Sequence, residues 1–212
     1  MIEKDNILGF PLYRFYYDEE KVQGVLNSLL KLSWVPNTTN WMWDGVTEDG
    51  TGSTLHELPE FSEIFEWMQK CFDEIAEDMG MTCDLKINSS WSHLSQKGNS
   101  FFEHAHGNAF VSSTYYASGS PEDKTVWLLP NPYFHGSNIF PCGPTYPGKD
   151  HKYFLTHEEP TEPGKFVVFP STVSHYAQEN TSDADRVTIS CDAFPTGLIN
   201  QGYTSRLRVQ VQ

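Results

Sequence analysis

From residue 83 onward the chain breaks into short stretches rich in β-branched and aromatic residues. These are 83–94, 101–106, 110–118, 125–130, 152–157, 165–170 and 186–194, separated by turn clusters such as Q-K-G-N-S and E-P-G. Such segments read as strands of a two-layered β structure. Upstream, residues 18–34 place Val22, Val25, Leu26, Leu29 and Leu30 at helical spacing. Residues 58–80 do the same with Phe61, Ile64, Phe65, Met68, Phe72 and Ile75, and Gly80 stands where a helix would stop. Residues 35–57 between them read as a long loop or short hairpin. Helices followed by many short strands predict one α+β, mainly β domain over residues 1–212, with a sandwich or jelly-roll core. Its parts are a mostly helical support region (1–82), a β core (83–195) and a lid-like insert (131–151) too rich in Gly and Pro for a core strand.

The chain has 212 residues, enough for one sizeable core. The net charge of −14, from 28 acidic against 14 basic residues, repels phosphate backbones and anionic membranes. Nucleic acid is therefore not an expected partner. No apolar run approaches the ~20 residues of a membrane span, and the N-terminal M-I-E-K-D-N does not read as a secretory signal. The expected location is cytoplasmic. A homodimer is left open.

The chemistry concentrates in three places. Residues 103–108 read E-H-A-H-G-N. On a strand, His104 and His106 at i and i+2 share a face with Cα atoms roughly 6.5–7 Å apart, close enough to share an ion. Imidazole suits iron, zinc, copper or nickel. A third histidine, His175, follows a buried-looking strand and Pro170 in P-G-K-F-V-V-F-P-S-T-V-S-H, on a loop at the rim of the core. Finally R-V-T-I-S sets Arg186 and Thr188 on one face of an otherwise apolar strand. A guanidinium aimed inward needs an anion, either a protein carboxylate (Asp185, Asp192 or Glu103) or a bound acid that its planar fork can grip.

The ordered set of motifs resembles the 2-oxoglutarate and Fe(II)-dependent oxygenases. It is most similar to a small bacterial and phage-borne group with the pattern W-x-N…G…H-x-H-P…S-G-V-Y-Y-V…F-P-S…H…R-x-S. The matching stretches here are Trp91-Ser92-His93, Gly98, His104-Ala105-His106-Gly107, Ser113-Thr114-Tyr115-Tyr116, Phe169-Pro170-Ser171, His175 and Arg186-Val187-Thr188, with Leu58–Phe61 resembling the opening of the second helix. The resemblance spans about residues 55–195. It implies a double-stranded β-helix (jelly roll, cupin-like) with the N-terminal helices packed on one sheet. It also implies Fe(II) and 2-oxoglutarate as cofactors, and O2 as co-substrate of a hydroxylase in a bacterium or a phage-infected host cell. Arg186 and Thr188 would hold the far carboxylate of 2-oxoglutarate, with Tyr115 or Tyr116 adding a hydroxyl.

Most of that superfamily carries H-x-D or H-x-E, the two-histidine, one-carboxylate triad with open positions, whereas here the second position is histidine. Three ligand sets stay open: His104, His106 and His175; a register in which His106 leads and Asn108 takes the carboxylate position; and one that recruits Glu103. The substrate stays unidentified, with a peptidyl or small-molecule one expected and Tyr133, Phe134, His135, Tyr146, Trp127, Trp41 and Trp43 as candidate covers or walls. Two other readings compete: a cupin-like three-histidine dioxygenase that uses no 2-oxoglutarate, and a non-catalytic jelly-roll binding or structural module.

Overall fold

Alternation along a few strands sorts this chain into two cores and a cavity. The computed structural model describes residues 3–7, 10–37, 42–46, 53–129, 155–199 and 207–210. It opens with β1 (Glu3–Ile7), β2 (Phe10–Tyr16), α1 (Glu19–Leu29), β3 (Ser33–Asn37), β4 (Met42–Val46) and α2 (Ser62–Asp78). The β region follows as β5 (Asp84–Ser95), β6 (Phe101–His104), β7 (Val111–Ser118), β8 (Lys124–Leu129), β9 (Leu155–Pro160), β10 (Lys165–Pro170), β11 (Ser174–Ala177), β12 (Arg186–Ile199) and β13 (Leu207–Val209). Among the described residues one large antiparallel sheet runs β1-β2-β10-β7-β12-β5-β4-β3, with β13 on the end of β12. A second sheet of four runs β6-β11-β8-β9. The two enclose a jelly-roll barrel, the double-stranded β-helix that the sequence leads one to expect.

The strand β10, sequence KFVVFP, shows why its apolar run is continuous rather than alternating. Phe166 and Val168 enter the core shared with the helices, whereas Val167 and Phe169 enter a second core inside the barrel with Leu12, Tyr116, Trp127 and Val173. A strand buried on both faces needs apolar residues on both. Each such side chain contributes roughly 1.5–3 kcal/mol by leaving water.

Both helices cover the outer face of the large sheet. Val25 and Leu29 of α1 and Ile64, Phe65, Met68, Cys71, Phe72 and Ile75 of α2 pack on Tyr115, Ala117, Phe166, Ile189 and Cys191. Gly80 takes φ +66, and the Met81 amide bonds back to the Ala76 carbonyl at 2.9 Å, so α2 ends in the left-handed turn that glycine adopts without strain.

Several sequence expectations shift. The helix expected over 18–34 stops at Leu29, and Ser33–Asn37, which contains Pro36, forms a strand instead. Proline lacks an amide hydrogen and pushes its predecessor to extended geometry. The region 1–82 is accordingly less helical than expected, since the β1–β2 and β3–β4 hairpins extend both ends of the large sheet. Of the two readings for 35–57, the hairpin is the one formed. The lid-like insert 131–151, with Tyr133, Phe134, His135 and Tyr146, lies outside the described residues, as do Trp41 and the side chain of Trp43.

Candidate metal and acid-binding site

The inner face of β12 is where the barrel stops being apolar. Val187, Ile189, Cys191 and Ala193 point to the helix side, and Arg186, Thr188, Ser190 and Asp192 point inward. Together with β5, β6, β7, β8, β10 and β11 this face lines a cavity that holds His104, His106, His175, Arg186 and Thr188.

The three histidines meet at one point. A ring nitrogen from each lies within 4.8 Å of those of the other two. Strand pairing brings them there: His175 on β11 is the register partner of His104 on β6, and the His106 amide bonds to the Ser171 carbonyl at 2.9 Å. Two expectations change in detail. The loop expected to carry His175 is a strand, whose pairing holds the imidazole over β6. His106 lies past the end of β6, so its amide bond to Ser171, rather than strand pairing, holds it beside its neighbours.

Each Nδ1 is already committed. That of His104 bonds to the Phe102 carbonyl (3.0 Å), that of His175 to the Val173 carbonyl (3.1 Å), and that of His106 to both Asp192 oxygens (2.9 and 3.0 Å). Carbonyls and carboxylates only accept, so in all three rings Nδ1 donates. The neutral ring is left with its lone pair on Nε2. The Nε2 of His106 is buried with no hydrogen-bond partner. Burial, with His104 nearby, pushes the His175 imidazole down to about 3, and burial also lowers that of His104, so both are held in the neutral form a metal needs. An orphaned nitrogen among three oriented imidazoles fits a divalent transition metal.

Neither alternative residue joins the three imidazoles. Asn108 is exposed and does not line the cavity. Glu103 faces the other way, accepting from the Ser174 hydroxyl at 2.7 Å.

Arg186 is 3% exposed, and its Nη1 is buried without a partner. Among the described residues no carboxylate forms an ion pair with it: Asp192 is taken by His106 and Ser112, and Glu103 by Ser174. Burial alone lowers its pKa, with Tyr116 and Asp123 opposing. Asp185, the third carboxylate weighed from sequence, is exposed, so none of the three pairs with Arg186.

The two tyrosines separate. Tyr115 points out of the barrel and packs edge-on against Tyr17 and Trp67, so it is not a cavity group. The reason is strand alternation: adjacent residues face opposite sides. Tyr116 points inward, but its hydroxyl bonds to Thr125 Oγ1 at 2.8 Å, and it reaches the cavity only through that threonine. Trp127 is buried in the inner core against Phe169 rather than lining the cavity.

Three residues take places that the sequence reading does not assign them: Asp192 is weighed there only as an anion for Arg186, and Trp91 and His93 only as part of a motif. Asp192 backs His106, and continuing the period-two reading from Arg186 and Thr188 would have reached it. Trp91 stacks on His106, centroids 5.5 Å apart. His93 lines the cavity with its Nδ1 on Asp44 at 2.8 Å, a pairing across β4 and β5 with no local sequence signal.

Comparison with known proteins bears on the same region. Residues 89–192 match the family model described as "Putative 2OG-Fe(II) oxygenase". No curated protein matches the sequence. Similar solved structures include a Pseudomonas putida prolyl-4-hydroxylase (13% identity, 91% of this chain and 97% of that one, TM-score 0.60). They also include HygX from Streptomyces hygroscopicus with nickel and 2-oxoglutarate bound (12%, 89% and 84%, TM-score 0.61). A third is the non-heme alpha-ketoglutarate-dependent epimerase SnoN from nogalamycin biosynthesis (13%, 91% and 82%, TM-score 0.61). At these identities the structural likeness carries the fold.

Proposed function

We propose that this chain, a member of the 2-oxoglutarate/Fe(II) oxygenase superfamily, is an Fe(II)- and 2-oxoglutarate-dependent hydroxylase. His104, His106 and His175 would hold the metal, and Arg186 and Thr188 would hold the far carboxylate of 2-oxoglutarate. The observation that carries this reading is the coexistence, in one cavity, of three imidazoles whose Nδ1 atoms are bonded to the protein, leaving Nε2 for a metal, and a buried guanidinium that forms no ion pair among the described residues. The bound metal would supply the coupled chemistry: 2-oxoglutarate, O2 and a C–H bond become succinate, CO2 and an alcohol.

The protein's own part is placement. Backbone carbonyls fix the rings of His104 and His175, Asp192 fixes that of His106, and Trp91 covers its face. The planar fork of Arg186 would hold a carboxylate, in a wall where water competes weakly. Trp91, Phe101, Phe169 and Tyr176 give the cavity aromatic walls. These walls and the net charge of −14 suit an uncharged or cationic organic group, peptidyl or small-molecule.

The all-histidine set also favours a second reading, a cupin-like dioxygenase without 2-oxoglutarate, but that reading gives Arg186 no acid to bind. The test is calorimetric binding of 2-oxoglutarate to metal-loaded protein, followed by succinate release with ferrous iron. Binding that is lost in Arg186→Ala, and succinate release lost in His175→Ala, are the expected results. Metal-loaded protein that binds no 2-oxoglutarate overturns the proposal in favour of the second reading.

A further inference from the structure

The three imidazoles are not equivalent. Behind His104 and His175 stand neutral backbone carbonyls, whereas behind His106 stands a carboxylate with both oxygens at 2.9–3.0 Å from Nδ1. Asp192 is 1% exposed, and the Ser112 hydroxyl donates to its Oδ1 at 2.7 Å. Each of these side-chain bonds is one the carboxyl accepts, which is the pattern of a carboxylate. His106 also occupies the position two residues past the first histidine, where the usual triad has its one carboxylate. Replacing that group with a neutral imidazole removes a negative charge from the ligand set.

We infer that Asp192 returns this charge from one bond further out, so that His106 and Asp192 together stand in for the missing carboxylate ligand. The carboxylate holds the Nδ1 proton of His106, makes Nε2 a stronger donor, and places a negative charge behind the ring in a buried site where it is weakly screened. Trp91, stacked on the ring with planes 25° apart, limits rotation about the bond that Asp192 sets. Asp192 is thus a positioning residue acting through His106. The inference rests on the three-histidine metal site proposed above, but not on 2-oxoglutarate turnover.

The experiment compares wild type with Asp192→Asn, which keeps shape and a hydrogen-bond acceptor but removes the charge. Metal affinity is measured anaerobically with Co(II) alone, and the Fe(III)/Fe(II) midpoint potential by mediated titration of iron-loaded protein. The variant is expected to bind Co(II) about 10- to 100-fold more weakly. Its potential should move positive, because the ferric state loses more from a missing negative charge than the ferrous state. Unchanged affinity and potential overturn the inference while leaving the oxygenase reading standing. Weaker binding with an unchanged potential also overturns it, since a purely structural role predicts that result. Wild type that binds no metal overturns both. Should the variant fail to fold, cobalt-loaded wild type serves: three exchangeable, hyperfine-shifted imidazole N–H signals are expected, and loss of the one assigned to His106 overturns the inference.

Discussion

His104 and His175 face each other as register partners across β6 and β11, their ring centroids 4.3 Å apart. Burial disfavours charging either imidazole. The arrangement becomes favourable when a cation sits between them. His104→Ala and His175→Ala should therefore each weaken Co(II) binding by more than the roughly 100-fold upper cost of losing a partner behind a ligand. Asn108→Ala should leave it unchanged. Equilibrium titration with Co(II) separates the two ligand registers directly.

Arg186 predicts an unusual stability result. A buried cation that forms no ion pair among the described residues costs stability in the ligand-free protein, so Arg186→Met should leave the melting temperature unchanged or raised. 2-Oxoglutarate should stabilise metal-loaded wild type and not the variant, because only a ligand that binds the native state shifts unfolding. The loss of a charge-assisted contact of about 1.5–3 kcal/mol corresponds to roughly a 10- to 150-fold weaker affinity for 2-oxoglutarate.

Glu159 ties β9 to the large sheet. It accepts from Arg14 Nε and Nη2 at 2.9 and 2.8 Å and pairs with Lys165 at 2.9 Å, and the three side chains are 6, 11 and 2% exposed. Burial alone would raise its pKa, but bonds from His157, Arg14 and Lys165 outweigh that and hold it well below its ordinary value of 4.5. A depressed carboxylate contributes stability that is present above 4.5 and lost as pH falls through the folded value. Glu159→Gln should cost about 3–5 kcal/mol at neutral pH. It should also flatten the decline of stability below pH 4.5, as read by urea unfolding at several pH values.

Gly119 has φ +139, and a Cβ there would lie 2.6 Å from Thr161 Cγ2 and 3.2 Å from Arg186 Cγ. Gly119→Ala should destabilise by about 1–3 kcal/mol through crowding and strain. It should also displace the Arg186 stem, so 2-oxoglutarate affinity falls with stability. A stability loss with unchanged affinity would show that the stem tolerates the intrusion.

Local pattern determined much of this protein: the strands after residue 83, the two amphipathic helices, the stop at Gly80, and the inward face bearing Arg186 and Thr188. Each rests on periodicity or backbone preference within a few neighbouring residues, which sequence displays directly. Only the tertiary structure decided that His106 rather than Asn108 completes the cluster, that Tyr115 faces the helices, that β1 to β4 extend the sheet, and that Asp192 stands behind His106. These depend on which strands pair and in what register. His106 and Asp192, 86 positions apart, are joined by a side-chain bond that no local preference encodes, because the barrel must close before the two residues meet.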